Sequence, residues 1–197
     1  MPRLMVQGDR DANGIEDAVL KLGSICGERG IGLNVGEAGK IVHLLAETGA
    51  HVRVHQAKPE PPNVPEGFRG EIVNCTAAAL PAHTHLPAGA KIARVAWAIR
   101  LACLDDSDGF IFFPGREGTL AHLVPIMAFI AKGERDKGVA CPRRVALVGW
   151  SGPLITALCT LFNIWPTTPG GEWLDSFASD EMGRAISWLT AGLPAER

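Results

Sequence analysis

Residues 107–119 have the sequence SDGFIFFPGREGT, and this stretch decides the fold. Its run from Phe110 to Phe113 is apolar on both faces, which is typical of a strand buried in the middle of a parallel sheet. Pro114 ends such a strand without needing a backbone donor, and Thr119 is placed to cap a following helix. Between them, Gly115 and Gly118 permit backbone conformations and close approaches that other residues block. The stretch therefore predicts a buried strand, a glycine turn and the start of a helix.

Strand and helix patterns alternate on both sides of this stretch. Short apolar or alternating runs predict strands at 4–6, 31–35, 51–54, 71–76, 110–113 and 145–148. Apolar residues at helical spacing predict helices at 14–28, 38–48, 91–104, 119–132, 151–161 and 180–191. Pro125 falls inside the fourth of these helices and is expected to kink or shorten it. Successive βα units with short connections specify a parallel sheet with helices on both faces, so residues 1–197 are predicted to form a single Rossmann-like α/β domain.

Composition excludes several classes of protein. The 197 residues carry 19 Lys+Arg against 21 Asp+Glu, and a general nucleic-acid binder would need a basic excess instead. Hydrophobic residues make up 47% of the chain and charged residues 20%, which excludes a disordered chain. No signal peptide or membrane partner is expected, because no apolar run approaches the roughly 20 residues that cross a bilayer. The five cysteines form no CxxC pair, so we expect reduced thiols in a cytoplasmic protein.

Three loops of the predicted sheet are placed to bind a ligand. In an open parallel sheet, ligands bind outside the carboxyl ends of the strands, where helix N-termini present unpaired N–H groups. Residues 7–10, 35–39 and 114–119 fit this place, and the last loop is best suited to a phosphate because of its glycines and the helix dipole. The alternative is that residues 114–119 form only a tight structural turn and bind no ligand. No metal site is predicted, since His83 and His85 have ligand spacing but lie between prolines without a nearby Cys or carboxylate.

The stretch 107–119 also resembles the motif of the LONELY GUY (LOG) family of Rossmann-like, lysine decarboxylase-like proteins. The family pattern is S-D-A-[FIV]-I-x-[LF] followed by P-G-G-x-G-T-x-x-E. The resemblance extends to the first strand, the turn at 47–52, the helix before the motif and the last helices. It implies hydrolysis of the N-glycosidic bond of nucleoside 5′-monophosphates, without a cofactor, by a homodimer.

The chain departs from the family pattern at functional positions. Arg116 stands in place of the motif's second glycine, and His122 in place of the glutamate that the family uses in catalysis. Arg100 retains one of two cations on the preceding helix. The glycine-rich loop after the second strand is reduced to residues 36–39, and Asp9 follows the first strand where the family has serine. A guanidinium at Arg116 suits a phosphate, whereas a histidine gives the sugar cation of glycosidic cleavage no permanent negative charge.

The leading hypothesis is a nucleotide-binding protein of the LOG type, with a weak or altered nucleoside 5′-monophosphate phosphoribohydrolase activity. His122 or Glu117 would replace the lost glutamate, and Arg100 would supply a cation. The residues expected to bind the phosphate or nucleotide are Gly8, Gly36, Pro114, Gly115, Arg116, Gly118 and Thr119. The alternative is a non-catalytic sensor or carrier of a nucleotide or phosphorylated cofactor. A third hypothesis is an interaction protein with a vestigial pocket.

Overall fold

A parallel sheet forms the centre of the computed structural model, which describes residues 1–9, 11–36, 39–56, 64–74, 106–137, 143–162 and 173–193. The strands within these ranges are β1 (Arg3–Gln7), β2 (Gly32–Gly36), β3 (Val52–Gln56), β4 (Glu71–Asn74), β5 (Gly109–Phe112), β6 (Arg144–Val148) and β7 (Leu174–Phe177). The helices are α1 (Glu16–Arg29), α2 (Lys40–Glu47), α3 (Glu117–Lys137), α4 (Gly152–Phe162) and α5 (Met182–Thr190), with a 3-10 turn at Ser179–Glu181. The predicted helix at 91–104 lies outside the described residues.

The strand order is β4-β3-β2-β1-β5-β6-β7, and every neighbouring pair is parallel. From β1 the chain builds outward to β4, then crosses back to the other side of β1 and builds outward again to β7. The order therefore reverses between β1 and β5, which is the topological switch point of the sheet. The predicted fold class, a Rossmann-like α/β domain, is confirmed.

Both faces of the sheet are covered by helices. On one face, alternate strand residues such as Leu4 and Val6 join α1, α2 and α5 in one hydrophobic cluster. On the other face, Met5, Phe110 and Phe112 pack against residues of α3 and α4. Because successive side chains of a strand point to opposite faces, this division follows from the two-sided apolar runs in the sequence.

Two local expectations differ from the structure. Pro125 does not shorten its helix: α3 continues beyond it to Lys137, so the loss of one backbone donor is tolerated. Strand β7, which the sequence analysis did not predict, is an edge strand whose two central residues are exposed. An edge strand with two apolar residues in four lacks the continuous apolar run that marks β5 and β6.

Charged side chains form a network at the amino-terminal side of the sheet. Arg3 Nη1 donates to Asp106 Oδ1 at 3.0 Å, and Arg53 Nη1 donates to the other oxygen of the same carboxylate. Arg53 Nε also donates to Glu71 Oε2 at 2.6 Å. Burial opposes the charge of Arg53, but the hydrogen bonds that it donates to Asp106 and Glu71 outweigh this effect and raise the pKa of the guanidinium. The network joins β1, β3 and β4 to the segment that leads into β5.

The described cysteines match the expectation of unpaired thiols. Cys26 and Cys159 are both buried and free. Burial raises the pKa of Cys26 to about 12, so this thiol behaves as a small apolar side chain rather than as a nucleophile. The other cysteines lie outside the described residues. Within the described ranges, no helix is both long and apolar enough to span a membrane.

Candidate functional site

The carboxyl ends of β1 and β5 meet at the switch point and are joined by backbone hydrogen bonds. The N–H of Phe113 donates to Gln7 O at 2.8 Å, and the N–H of Asp9 donates to Pro114 O at 3.2 Å. These bonds join the loop after β1 directly to the loop after β5. A third contact fixes the end of β5, since Trp150 Nε1 donates to Phe112 O at 2.7 Å. Parallel sheets bind ligands in this type of crevice.

Thr119 ties the two loops together and does not cap α3 as the sequence predicted. The helix begins at Glu117, so Thr119 lies within its first turn, and its N–H donates to Arg116 O at 2.9 Å. Its buried hydroxyl instead donates to Gly8 O at 3.0 Å. This side-chain hydrogen bond holds the start of α3 against the end of β1.

Two of the predicted glycines, Gly8 and Gly115, are closely packed, whereas a third, Gly118, is not. A Cβ on Gly8 would lie 2.9 Å from Ile15 Cδ1, and a Cβ on Gly115 would lie 2.0 Å from Thr119 Oγ1. These two glycines are required by the close packing of the loops. A Cβ on Gly118 would meet nothing within 4 Å, so open space lies beside the first turn of α3. The N–H groups of Glu117 and Gly118 belong to that turn and have no partner within the helix.

Arg116 is not a free cation in the crevice. Its Nε donates to Asp9 Oδ2 at 3.0 Å, and its Nη2 donates to Asp11 Oδ2 at 2.9 Å. The nearby Asp9 carboxylate, followed by that of Asp11, raises the pKa of the guanidinium. Two carboxylates against one guanidinium leave this group with a net charge of −1. In the ligand-free protein the Arg116 guanidinium is therefore paired with carboxylates, and its role in binding a phosphate stays a prediction.

Gly36 and Pro114 lie at the border of the crevice and are less buried than Gly8. Gly36 ends β2 and is half-buried, one strand away from Gln7 of β1. Pro114 follows β5, is half-buried and contributes its carbonyl to the loop contact with Asp9. Residues 37 and 38 lie outside the described residues.

The structure describes two of the three proposed catalytic residues, Glu117 and His122, and both lie on α3. His122 is half-buried on α3, about one turn beyond Gly118, whereas Glu117 is exposed. Glu117 and His122 are five positions apart in sequence, which places them about 140° apart around the helix axis. Arg100 lies outside the described residues. The catalytic roles of Glu117, His122 and Arg100 stay predictions.

Sequence reasoning missed the acidic side of the site. The sequence places Asp9 in a loop suited to a ligand and at a serine position of the family, but it predicts no pairing of Asp9 or Asp11 with Arg116. The signal was present in the strand order: loops after adjacent strands carry opposite charges, at residues 9 and 11 on one side and at 116 on the other. No group of three or more His, Cys, Asp or Glu side chains within the described residues could hold a metal ion.

A cavity of about 630 Å³ lies at the other end of the sheet, between the end of α2, the start of β3 and residues 65–70. Its charged or titratable lining residues are His43, Glu47, His51, Glu66 and Arg69. These charges oppose one another, so the lining selects no particular charge on a ligand. The crevice at the switch point is the stronger candidate because it lies where open parallel sheets bind their ligands.

Comparison with known proteins yields structural neighbours only. No protein-family model matches the chain, and no curated protein shows significant sequence similarity. Among solved structures, the molybdenum cofactor carrier protein from Chlamydomonas reinhardtii is similar with a TM-score of 0.62 at 14% identity, over 96% of this chain and 98% of that one. The molybdenum cofactor binding protein from Rippkaea orientalis has a TM-score of 0.61 at 15% identity, over 94% and 95%. TM1055, a structural genomics target, has a TM-score of 0.60 at 13% identity, over 95% and 99%.

This chain shares its Rossmann-like fold with these proteins. The likeness spans nearly the whole length of each chain. At such low identity it establishes the fold and nothing further.

Proposed function

We propose that this protein is a non-catalytic carrier that binds a phosphorylated small molecule across the crevice between β1 and β5. The observation that carries the proposal is the first turn of α3, which opens onto free space at the topological switch point. The Thr119–Gly8 hydrogen bond and the backbone contacts between the loops hold that turn in place before any ligand arrives. A preorganised site avoids the cost of ordering loops on binding.

In this proposal the phosphate lies beside Gly118. The N–H groups of Glu117 and Gly118 donate to it, and the positive end of the α3 dipole favours its charge. Gly8, Pro114 and Gly115 form the floor between the two strands, with Thr119 beneath them. The rest of the ligand extends toward Gly36 at the end of β2. The ligand class is a nucleotide or another phosphorylated cofactor.

The structural neighbours support the carrier hypothesis over hydrolysis. Two of them are described as proteins that carry or bind the molybdenum cofactor, and both match this chain over nearly its full length. We further place the chain in the LOG type, as a cytoplasmic homodimer, on the resemblance of residues 107–119. The molybdenum cofactor and nucleoside monophosphates are therefore the first ligands to test.

A weak phosphoribohydrolase is the second candidate, and the position of His122 is the observation that favours it. The half-buried imidazole lies about one turn from the proposed phosphate site, where a neutral histidine can act as a general base. The nearby Glu117, however, is exposed on another side of the helix, so its carboxylate is not placed to stabilise an oxocarbenium-like state together with His122.

The test compares Gly118→Asp with Gly118→Asn, which differ by one charge at nearly equal size. We expect saturating AMP or molybdenum cofactor, at about 100 times Kd, to raise the melting temperature of the wild type by roughly 5–10 °C. Gly118→Asn should keep part of this shift, whereas Gly118→Asp should abolish it because its carboxylate repels the phosphate. Both variants should fold, since a Cβ at Gly118 meets nothing within 4 Å.

Chromatography of the same AMP incubations separates the two candidates. Free adenine that disappears in His122→Ala would favour the hydrolase. Binding without adenine release would favour the carrier. An equal shift in wild type and Gly118→Asp would contradict the proposed position of the phosphate.

A further inference from the structure

The guanidinium of Arg116 bridges the two loops of the crevice at the place where the proposed ligand would bind. It donates one hydrogen bond to Asp9 and one to Asp11, from the residue that precedes the first turn of α3. An arginine at the start of a helix faces the positive end of the dipole, which disfavours it. The two carboxylates offset both the arginine and the dipole. They supply the negative charge that an anionic ligand would otherwise supply.

The three partners differ in how firmly they are held. Asp9 is 11% exposed, and its Oδ1 accepts the N–H of Asp11 at 2.9 Å while its own N–H is bound to Pro114. The side chains of Arg116 and Asp11 are 65% and 62% exposed. Water can replace the contact between two exposed groups at little cost, so the Arg116–Asp11 pair is the part of the bridge that exchanges most easily.

We propose that Asp11 is a built-in competitor for the ligand and that Arg116 exchanges from Asp11 to the ligand's phosphate on binding. This inference rests on the proposed function, because it assumes a phosphate beside Gly118. Asp9 keeps its bond to the Nε of Arg116 and acts as the pivot. Arg116 is thus a specificity-determining residue whose cation becomes available only to a ligand that outcompetes a carboxylate.

The exchange favours one chemical class of ligand, the phosphate monoester. Its terminal phosphate carries close to two negative charges near neutral pH, binds a guanidinium through two oxygens and leaves a third for the helix N–H groups. A phosphodiester carries a single charge and only two free oxygens. It therefore gains less from Arg116 and the helix terminus against the same competing carboxylate.

The experiment measures Kd by calorimetry at low salt for AMP, a monoester, and cyclic AMP, a diester with the same base. We expect the wild type to bind AMP at least tenfold more tightly than cyclic AMP. Asp11→Asn should bind AMP about fivefold more tightly than the wild type. The substitution removes a carboxylate that repels the phosphate and competes with it for the guanidinium of Arg116. Asp17→Asn, the same charge change at an exposed position of α1, is the matched control and should leave the Kd unchanged.

Arg116→Gln should reduce the effect of Asp11→Asn, because the two residues act as one unit. If Asp11→Asn binds AMP no better than Asp17→Asn, the competitor role is overturned, while the proposed function stands as long as the wild type binds. If the wild type, Asp11→Asn and Arg116→Gln all bind neither AMP nor the molybdenum cofactor, the proposed function fails and the exchange fails with it.

Discussion

Two arginine–carboxylate clusters lie at opposite ends of the same sheet and differ mainly in burial. At the amino-terminal side, Arg53 binds Asp106 and Glu71 with a side chain that is 16% exposed. At the carboxyl-terminal side, Arg116 binds Asp9 and Asp11 with a side chain that is 65% exposed. Each arginine contacts two carboxylates, and each has a raised pKa.

This difference in burial is the reason that we assign a structural role to the first cluster and propose a role in ligand binding for the second. A half-buried pair cannot lose one partner without leaving the other charge poorly solvated, so it acts as a fixed clamp. An exposed pair can exchange its partner for water or for an anion at little cost. Asp106 in addition holds Arg3, and its carbonyl accepts a hydrogen bond from the buried Asn34 at 2.8 Å. Asp11 has no comparable set of contacts among the described residues.

The largest contrast is expected between Asp106→Ala and Asp11→Ala. Removal of Asp106 leaves Arg3 and Arg53 without their shared carboxylate, and we expect it to lower the free energy of unfolding by about 3 kcal/mol. Removal of Asp11 should leave the stability of the protein nearly unchanged. Urea unfolding followed by circular dichroism measures both. Equal losses in the two variants would contradict the division into clamp and exchangeable pair.

The fold was within reach of the sequence because its signals are local. The apolar run from Phe110 to Phe113 and the helical periodicity around it are enough to specify a parallel sheet with helices on both faces. Strand β7 was not predicted, because an edge strand needs few apolar residues and therefore leaves no continuous apolar run in the sequence. The site was less predictable, because its contacts join residues about a hundred positions apart: Thr119 with Gly8, and Arg116 with Asp9. The sequence analysis predicts Gly8, Arg116 and Thr119 as phosphate-binding residues, but it does not predict that Thr119 bonds to Gly8 or that Arg116 pairs with Asp9, because these contacts depend on the tertiary structure.

A smaller effect is expected inside the crevice, from Thr119→Val. The substitution keeps the size of the side chain and removes the donor, which leaves the buried carbonyl of Gly8 without this partner. We expect the free energy of unfolding to fall by about 1–3 kcal/mol. Thr119→Ser retains the hydroxyl and serves as the control, with a smaller loss from the missing methyl group. A valine variant as stable as the serine variant would show that the hydroxyl does not hold the loops together.

The smallest effect is expected from Gly118→Ala, and its sign is informative. Alanine has a higher helix propensity than glycine by up to about 1 kcal/mol, and a Cβ at this position meets nothing within 4 Å. The stability of the protein should therefore rise by about 0.5 kcal/mol, as should that of Gly152→Ala, the matched change in the first turn of α4, where a Cβ also meets nothing within 4 Å. A thermal melt of both variants checks this. If Gly118→Ala lowers the stability while Gly152→Ala raises it, the space beside the first turn of α3 is not open. In that case neither a phosphate nor the guanidinium of Arg116 can use it as proposed.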